Sequence, residues 1–225
     1  MNNPFLGEEN KEEIRWHGVL GVGKGWKKPI RVSECELVAR PDQNEEIECH
    51  EFEDEPETLK KKVEVLAQLL RTSGRSVAYT GAGISTACGL KDYATKGETS
   101  VVMGKNTSFQ PVEWQDCQPS YSHFFLTRLY TAQLLHHWIQ QNHDGLPQKA
   151  GFPQQAINEY HGALYDPSNP VVTFWCERLR TDLTQWLERE VEEAELVLAL
   201  GSSLAGVYSD RICVRTAKRF FDGKE

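Results

Sequence analysis

The sequence predicts an α/β protein, a parallel sheet flanked by helices, and three stretches point to it. Residues 57–74, ETLKKKVEVLAQLLRTSG, place Leu59, Val63, Leu66, Ala67 and Leu70 at helical spacing, with Gly74 as a natural stop. RSVAYT follows as a short buried strand and runs into the glycines of GAGIS. A second apolar run of strand length, ELVLALG, ends in Gly201 and is again followed by small polar residues. Helix, strand and glycine turn, leading into a further helix, is how α/β domains open.

The remaining elements follow in order. Residues 1–56 read as an acidic N-terminal extension, flexible or short-stranded, ahead of a domain spanning 57–225. The glycines of GVLGVGKG lack the Ser or Thr that a phosphate loop sets after its lysine, and no clean strand precedes them. DQNEEIECHEFEDEPE reads as a solvated acidic linker. SHFFLTRLYTAQLL reads as a helix or helix pair and HHWIQQN as a strand, although periodicity alone would run one helix through both. DLTQWLEREVEEAE is strongly helical, and the stretch after GSSL allows one more helix.

Composition narrows the function classes. Over 225 residues the net charge is −8, which argues against nucleic acid, because phosphate backbones are bound by clustered Lys and Arg. An acidic protein remains suited to basic peptides such as lysine-rich tails. No run of about 18 apolar residues occurs, so no membrane-spanning helix is expected. The start, MNNPFLGEENKEEIRW, has neither the basic beginning nor the apolar centre of a signal peptide, so an intracellular location is expected, nuclear or cytoplasmic with mitochondrial open. Cys35, Cys49, Cys88, Cys117, Cys176 and Cys213 form no CxxC pair and read as free thiols, and a zinc site is not expected.

Three constellations carry chemistry. Gly81 and Gly83 flank Ala82 where a strand ends; they permit either a tight turn or close approach to a pyrophosphate at a helix N-terminus, which Ser85 can cap. The spacing is GAGIS rather than GxGxxG, since Thr86 stands at the third glycine position. Gln141, Asn142 and Asp144 sit at a strand end, where open α/β sheets hold ligands; they suit a carboxamide and ribose hydroxyls, or an Asx turn into Gly145. His161, one of seven histidines, precedes Gly162 and is either structural or a base that takes a proton from a hydroxyl.

Taken in order, TGAGIS, Pro119-Ser120-x-x-His123, QNxDGL, His161-Gly162 and GSSL after a strand resemble the sirtuins, NAD-dependent protein deacylases, from about Glu57 to Leu204. The resemblance implies a Rossmann-like parallel sheet flanked by helices, with a reduced or absent zinc-binding small domain. It implies NAD as cofactor, held by Gly81, Ala82, Gly83, Ser85, Asp92, Tyr93, Gln141, Asn142, Asp144, Gly201, Ser202 and Ser203. Catalysis would fall to His161 as base, with Asn142 and Asp144. The substrate would be an acyl-lysine protein or peptide, pairing as an extra strand with NPVVTFWCERL and flanked by Val172 and Phe174. In that chemistry the acyl oxygen attacks the nicotinamide ribose, nicotinamide leaves, and the base frees the 2′ oxygen to attack the acyl carbon. Free lysine and O-acyl-ADP-ribose result.

The departures from the family are specific. Ala94 replaces an Arg that orders the cofactor loop, Lys91 a Pro, and His143 an aliphatic residue; Pro147 follows QNxDGL. ALYDPSNP stands where the family inserts its zinc module, and the domain is expected to be incomplete at its C-terminus. Two classes of function therefore compete. One is an active NAD-dependent deacylase, with an NAD-cleaving ADP-ribosyltransferase as a variant. The other is a regulatory protein that binds NAD or ADP-ribose without turnover.

Overall fold

The computed structural model describes residues 10–33, 50–90, 115–172, 179–204 and 208–223. The chain divides into two compact units, residues 1–68 and 69–225.

In the first unit, α1 (Lys11–His17) closes on Gly18, whose φ of 65° lets the chain leave while its amide bonds the Ile14 carbonyl. β1 (Ile30–Ser33) and β2 (Glu51–Glu53) pair antiparallel. Trp16 lies against Phe52 with ring centroids 4.8 Å apart. The glycine-spaced stretch forms a short 3₁₀ turn, Val19–Gly21, and not the strand-to-helix turn of a phosphate loop. Further on, Lys27 pairs with Glu55 at 2.9 Å. α2 (Pro56–Thr72) begins where the sequence changes character, and the division between the units falls inside it.

The second unit is built on a four-stranded parallel sheet of order β5-β4-β3-β6, formed by β3 (Ser76–Thr80), β4 (His137–Gln140), β5 (Ile157–Glu159) and β6 (Leu196–Leu200). Every residue of β3 is buried, as a strand covered on both faces requires. Val77, Tyr79 and Ile139 face Leu187 and Val191 of α5 (Thr181–Glu193) and Ile212 of α6 (Arg211–Phe221) in one core. On the other face Trp138 meets Phe152 edge-on at 5.0 Å and donates its ring N–H to Thr80 Oγ1 at 2.7 Å.

Two points differ from the sequence reading, and one open alternative is decided. The helix expected after the glycines is absent among the described residues to position 90; two 3₁₀ turns, Ala82–Ile84 and Thr86–Cys88, take its place. Small residues with competing hydroxyls explain this, since Thr86 Oγ1 bonds back to the Gly83 carbonyl at 3.1 Å. The helix-or-pair reading resolves to the single α3 (Tyr121–Thr131), which ends before Gln133 at a φ of 58°. β5 was not anticipated; it exists through its parallel register with β4, Gln140 opposite Glu159. The short α4 (Leu146–Lys149) follows the QNHDG stretch.

Candidate functional site

Parallel strands deliver their carboxyl ends to one edge of the sheet, so the segments after β3, β4, β5 and β6 are neighbours there. The ends of β3 and β6 are in direct contact. The Gly81 amide donates to the Leu200 carbonyl at 3.1 Å and the Gly83 amide to the Gly201 carbonyl at 2.9 Å. A Cβ on Gly81 would lie 2.7 Å from the Gly201 carbonyl oxygen, and one on Gly83 2.8 Å from Gly201 Cα. Glycine is therefore required here by backbone meeting backbone, which the sequence left open between turn and ligand.

Ser85, expected as a helix cap or phosphate contact, caps no helix here, since 3₁₀ turns take the place of that helix, and it is the hub of a buried network. Its hydroxyl donates to Asp144 Oδ2 at 2.7 Å and receives Asn142 Nδ2 at 3.1 Å. Asn142 Nδ2 also reaches the Gly81 carbonyl at 3.1 Å. Asp144 also makes the Asx turn, Oδ1 accepting the Leu146 amide at 3.0 Å. His123 approaches Ser85 through Nε2 at 3.5 Å. The Ser120 amide donates to His123 Nδ1 at 3.1 Å, which places the His123 proton on Nε2, facing Ser85. Burial lowers the His123 pKa, opposed by the Asp144 charge. Ser120 and His123 form a capping box on α3, a Ser with a partner three residues on, and that spacing was the signal for their place in the site.

Gln141 bridges to the end of β6, its Nε2 donating to Ser202 Oγ at 3.1 Å. Ser203 follows, exposed on the same loop. Ala82 is half-buried within the first 3₁₀ turn. His161 follows β5 and Tyr160, and its Nδ1 lies 3.4 Å from the Gln141 carbonyl. Burial first, then the neighbouring His143, push its pKa down to about 4, with Asp210 acting the other way. The ring is thus neutral at ordinary pH and free to accept a proton. His143 bonds the Gly162 carbonyl through Nδ1 at 3.0 Å. Val172 is half-buried, and its amide donates to the His161 carbonyl at 3.0 Å. Asp92, Tyr93 and Phe174, with Lys91 and Ala94, lie outside the described residues.

The structure thus gathers three hydrogen-bonded sets at this edge, joined by chain neighbours: Ser85 with Asp144, Asn142 and Gly81; Gln141 with Ser202 and His161; and Gly83 with Gly201. Such an arrangement presents hydroxyl and amide groups around one buried carboxylate and one neutral imidazole. Its donor chemistry fits a ligand rich in hydroxyls and carrying a carboxamide. Among the described residues no group of three or more His, Cys, Asp or Glu is arranged to hold a metal ion, and no helix is long and apolar enough to cross a membrane.

No protein-family profile matches the chain. It is 38% identical over 112 residues to the NAD-dependent protein deacetylase sirtuin-7 of Homo sapiens, covering 50% of this chain and 28% of that protein. It is 38% identical over 114 residues to the NAD-dependent protein deacetylase SRT1 of Arabidopsis thaliana, covering 50% and 24%. A third relative, the NAD-dependent protein deacetylase Sirt6 of Drosophila melanogaster, is 34% identical over 114 residues, covering 50% and 36%. The chain therefore spans 24–36% of the length of these curated relatives. Among solved structures, that of Sir2Tm bound to a propionylated peptide superposes with a TM-score of 0.56 at 23% identity, covering 70% of this chain and 82% of that one. A Sir2-p53 peptide-NAD+ structure gives 0.56 at 23%, covering 69% and 82%. These likenesses show the fold, a Rossmann-like parallel sheet flanked by helices. The curated relatives are sirtuins, as the ordered motifs imply.

Proposed function

We propose that this chain, sirtuin-like in fold and in half of its sequence, is an NAD-dependent protein-lysine deacylase that releases nicotinamide and O-acyl-ADP-ribose. The observation that carries the proposal is the convergence of Ser85, Asn142, Asp144 and His161 at the carboxyl ends of β3, β4 and β5, joined to Ser202 after β6 through Gln141. Its relatives' names and the solved complexes with NAD and acylated peptides support the same reading.

Bound NAD would supply an electrophilic ribose carbon bearing a good leaving group, open to an acyl-lysine oxygen. The chain's own residues would do the rest. His161 is held neutral, so its Nε2 takes the proton of a ribose hydroxyl while Nδ1 stays on the Gln141 carbonyl. Asn142, whose Nδ2 is engaged by the Gly81 carbonyl and Ser85, would offer Oδ1 to the ligand, and Asp144, bonded to Ser85 and the Leu146 amide, would offer the remaining lone pairs of its carboxylate. Gly81, Ala82, Gly83, Gly201, Ser202 and Ser203 would hold the phosphates and adenosine side, with Asp92 and Tyr93 closing the cofactor loop. Val172, tied to the His161 carbonyl, and Phe174 would flank the acyl-lysine, which enters as an added strand.

The burial of His161, which keeps its ring neutral, also makes it a weaker base, and this suits the second class, a protein that binds NAD or ADP-ribose without turnover. The test is nicotinamide release from NAD, with and without an acetyl-lysine peptide, beside His161→Ala. Release that needs both peptide and His161 supports the deacylase. Release without peptide points to ADP-ribosyl transfer or hydrolysis, and none from a folded chain to the binding protein.

A further inference from the structure

His143 and His161 are cross-tied through each other's loops. The His143 ring holds the Gly162 carbonyl through Nδ1 at 3.0 Å, and the His161 ring faces the Gln141 carbonyl through Nδ1 at 3.4 Å. A carbonyl oxygen only accepts, so each ring carries its proton on Nδ1 and keeps Nε2 as its basic nitrogen. The ring centroids are 6.4 Å apart. The Leu164 amide closes on the His143 carbonyl at 2.9 Å and the Val172 amide on the His161 carbonyl at 3.0 Å, so main-chain bonds reinforce the tie. Gly162, between these contacts, has a φ of 92°, and a Cβ there would lie 2.2 Å from the Pro170 carbonyl oxygen. Its peptide has little room to shift, which makes its carbonyl a firm anchor for the His143 ring.

We propose that His143 is the positioning residue for His161: it pins the peptide that follows the base and sets the affinity of the base for a proton. The proposal rests on the reading above, in which His161 is the proton acceptor. The His143 ring lies 6.4 Å from that of His161 and, after burial, is the largest influence disfavouring a positive charge there. The groups acting on the pair from the surrounding elements are few. Asp144, next to His143 in the chain, favours the charged form of His143, and Asp210, just before α6, that of His161. Burial outweighs the carboxylate in both cases. The Tyr160 ring, 5.1 Å from His161, stays protonated because burial pushes its pKa up to about 12.

The test is a proton-NMR titration of the histidine rings in the full chain, with the His161 resonance assigned by its loss in His161→Gln. His143→Asn keeps an N–H donor for the Gly162 carbonyl and removes the titrating ring; His143→Gln serves if that variant does not fold. The expected result is a His161 midpoint at higher pH in the variant, with the acid limb of nicotinamide release moving the same way. A His161 midpoint equal to that of the parent chain overturns the proposal. Absence of nicotinamide release from the parent chain overturns the deacylase reading instead, and the titration still decides whether His143 governs His161.

Discussion

Gly83 and Gly201 meet main chain to main chain at the ends of β3 and β6: the Gly83 amide donates to the Gly201 carbonyl at 2.9 Å, and a Cβ on Gly201 would fall 2.8 Å from the Gly83 carbonyl carbon. This contact joins the two loops that carry Ser85 and Ser202. Gly83→Ala forces them apart and is expected to cost about 1–3 kcal/mol. Gly201→Ala should cost more, because φ at that position is +62° and a side chain adds backbone strain of roughly 1 kcal/mol or more. Urea midpoints rank the two. A parent-like midpoint for Gly83→Ala would show that the loops separate freely.

The Ser85 hydroxyl is shared by Asp144, Asn142 and His123. Ser85→Ala strips Asp144 Oδ2 of this donor inside a buried cluster, at an expected cost of about 1–3 kcal/mol. The freed side chains lose their orientation, so ADP-ribose affinity, read by calorimetry, should fall by roughly tenfold. Ser85→Thr, which keeps the hydroxyl, should retain most of the affinity. Equal affinity in the alanine variant would place the ligand away from this network.

How much of this was legible follows from what each signal depends on. β3 and β6 are continuous apolar runs closed by glycine, and α5 has an unbroken helical period, so each could be read locally. β5 is three residues long, between Pro153 and Gly162, and its only cause is the register with β4. No periodicity fits into three residues. The ends of β3, β4 and β6 could be anticipated because Gly81, Gln141 and Gly201 follow recognisable strands. The role of Ser85 could not, since a hydroxyl two residues past a glycine caps a helix or serves a tertiary partner with equal ease. That choice was made by Asp144, 59 positions away in the chain. The cross-tie of His143 likewise depends on Gly162, 19 positions on.

Glu190 is fully buried on α5, so its charge needs partners. Arg75 grips it with two bonds, Nε to Oε2 at 3.0 Å and Nη2 to Oε1 at 2.8 Å, while the Trp186 ring N–H adds a third at 3.0 Å and His137 lies at 2.8 Å. Burial opposes the charge, and these partners overcome it, holding the Glu190 pKa down at about 2. Arg75→Met leaves a buried carboxylate without its cation and is expected to cost about 2–4 kcal/mol, read from the urea midpoint at neutral pH. The ordinary value for this group is 4.5, so its stabilisation is complete above that pH and fades as pH falls toward 2. Glu190→Gln should therefore flatten the stability curve in that window. A curve parallel to the parent's would remove Glu190 as its source.

A second acid window lies above the first. The His161 pKa is about 4 in the folded chain against an ordinary 6.5, because burial and His143 disfavour the imidazolium. The unfolded chain then binds a proton at 161 that the folded chain refuses, so stability is full above about pH 6.5 and declines as pH drops toward 4. The loss over that span is on the order of 2–3 kcal/mol. His123 and His143, whose pKa values burial also lowers, act with the same sign. His161→Gln should shrink the decline between pH 6.5 and 4 without abolishing it, and leave the Glu190 window unchanged. Thermal midpoints taken at half-unit pH steps resolve the two. An undiminished decline in His161→Gln would mean that His161 is protonated in the folded chain at mildly acidic pH, and would take with it the neutral ring on which its role as base depends.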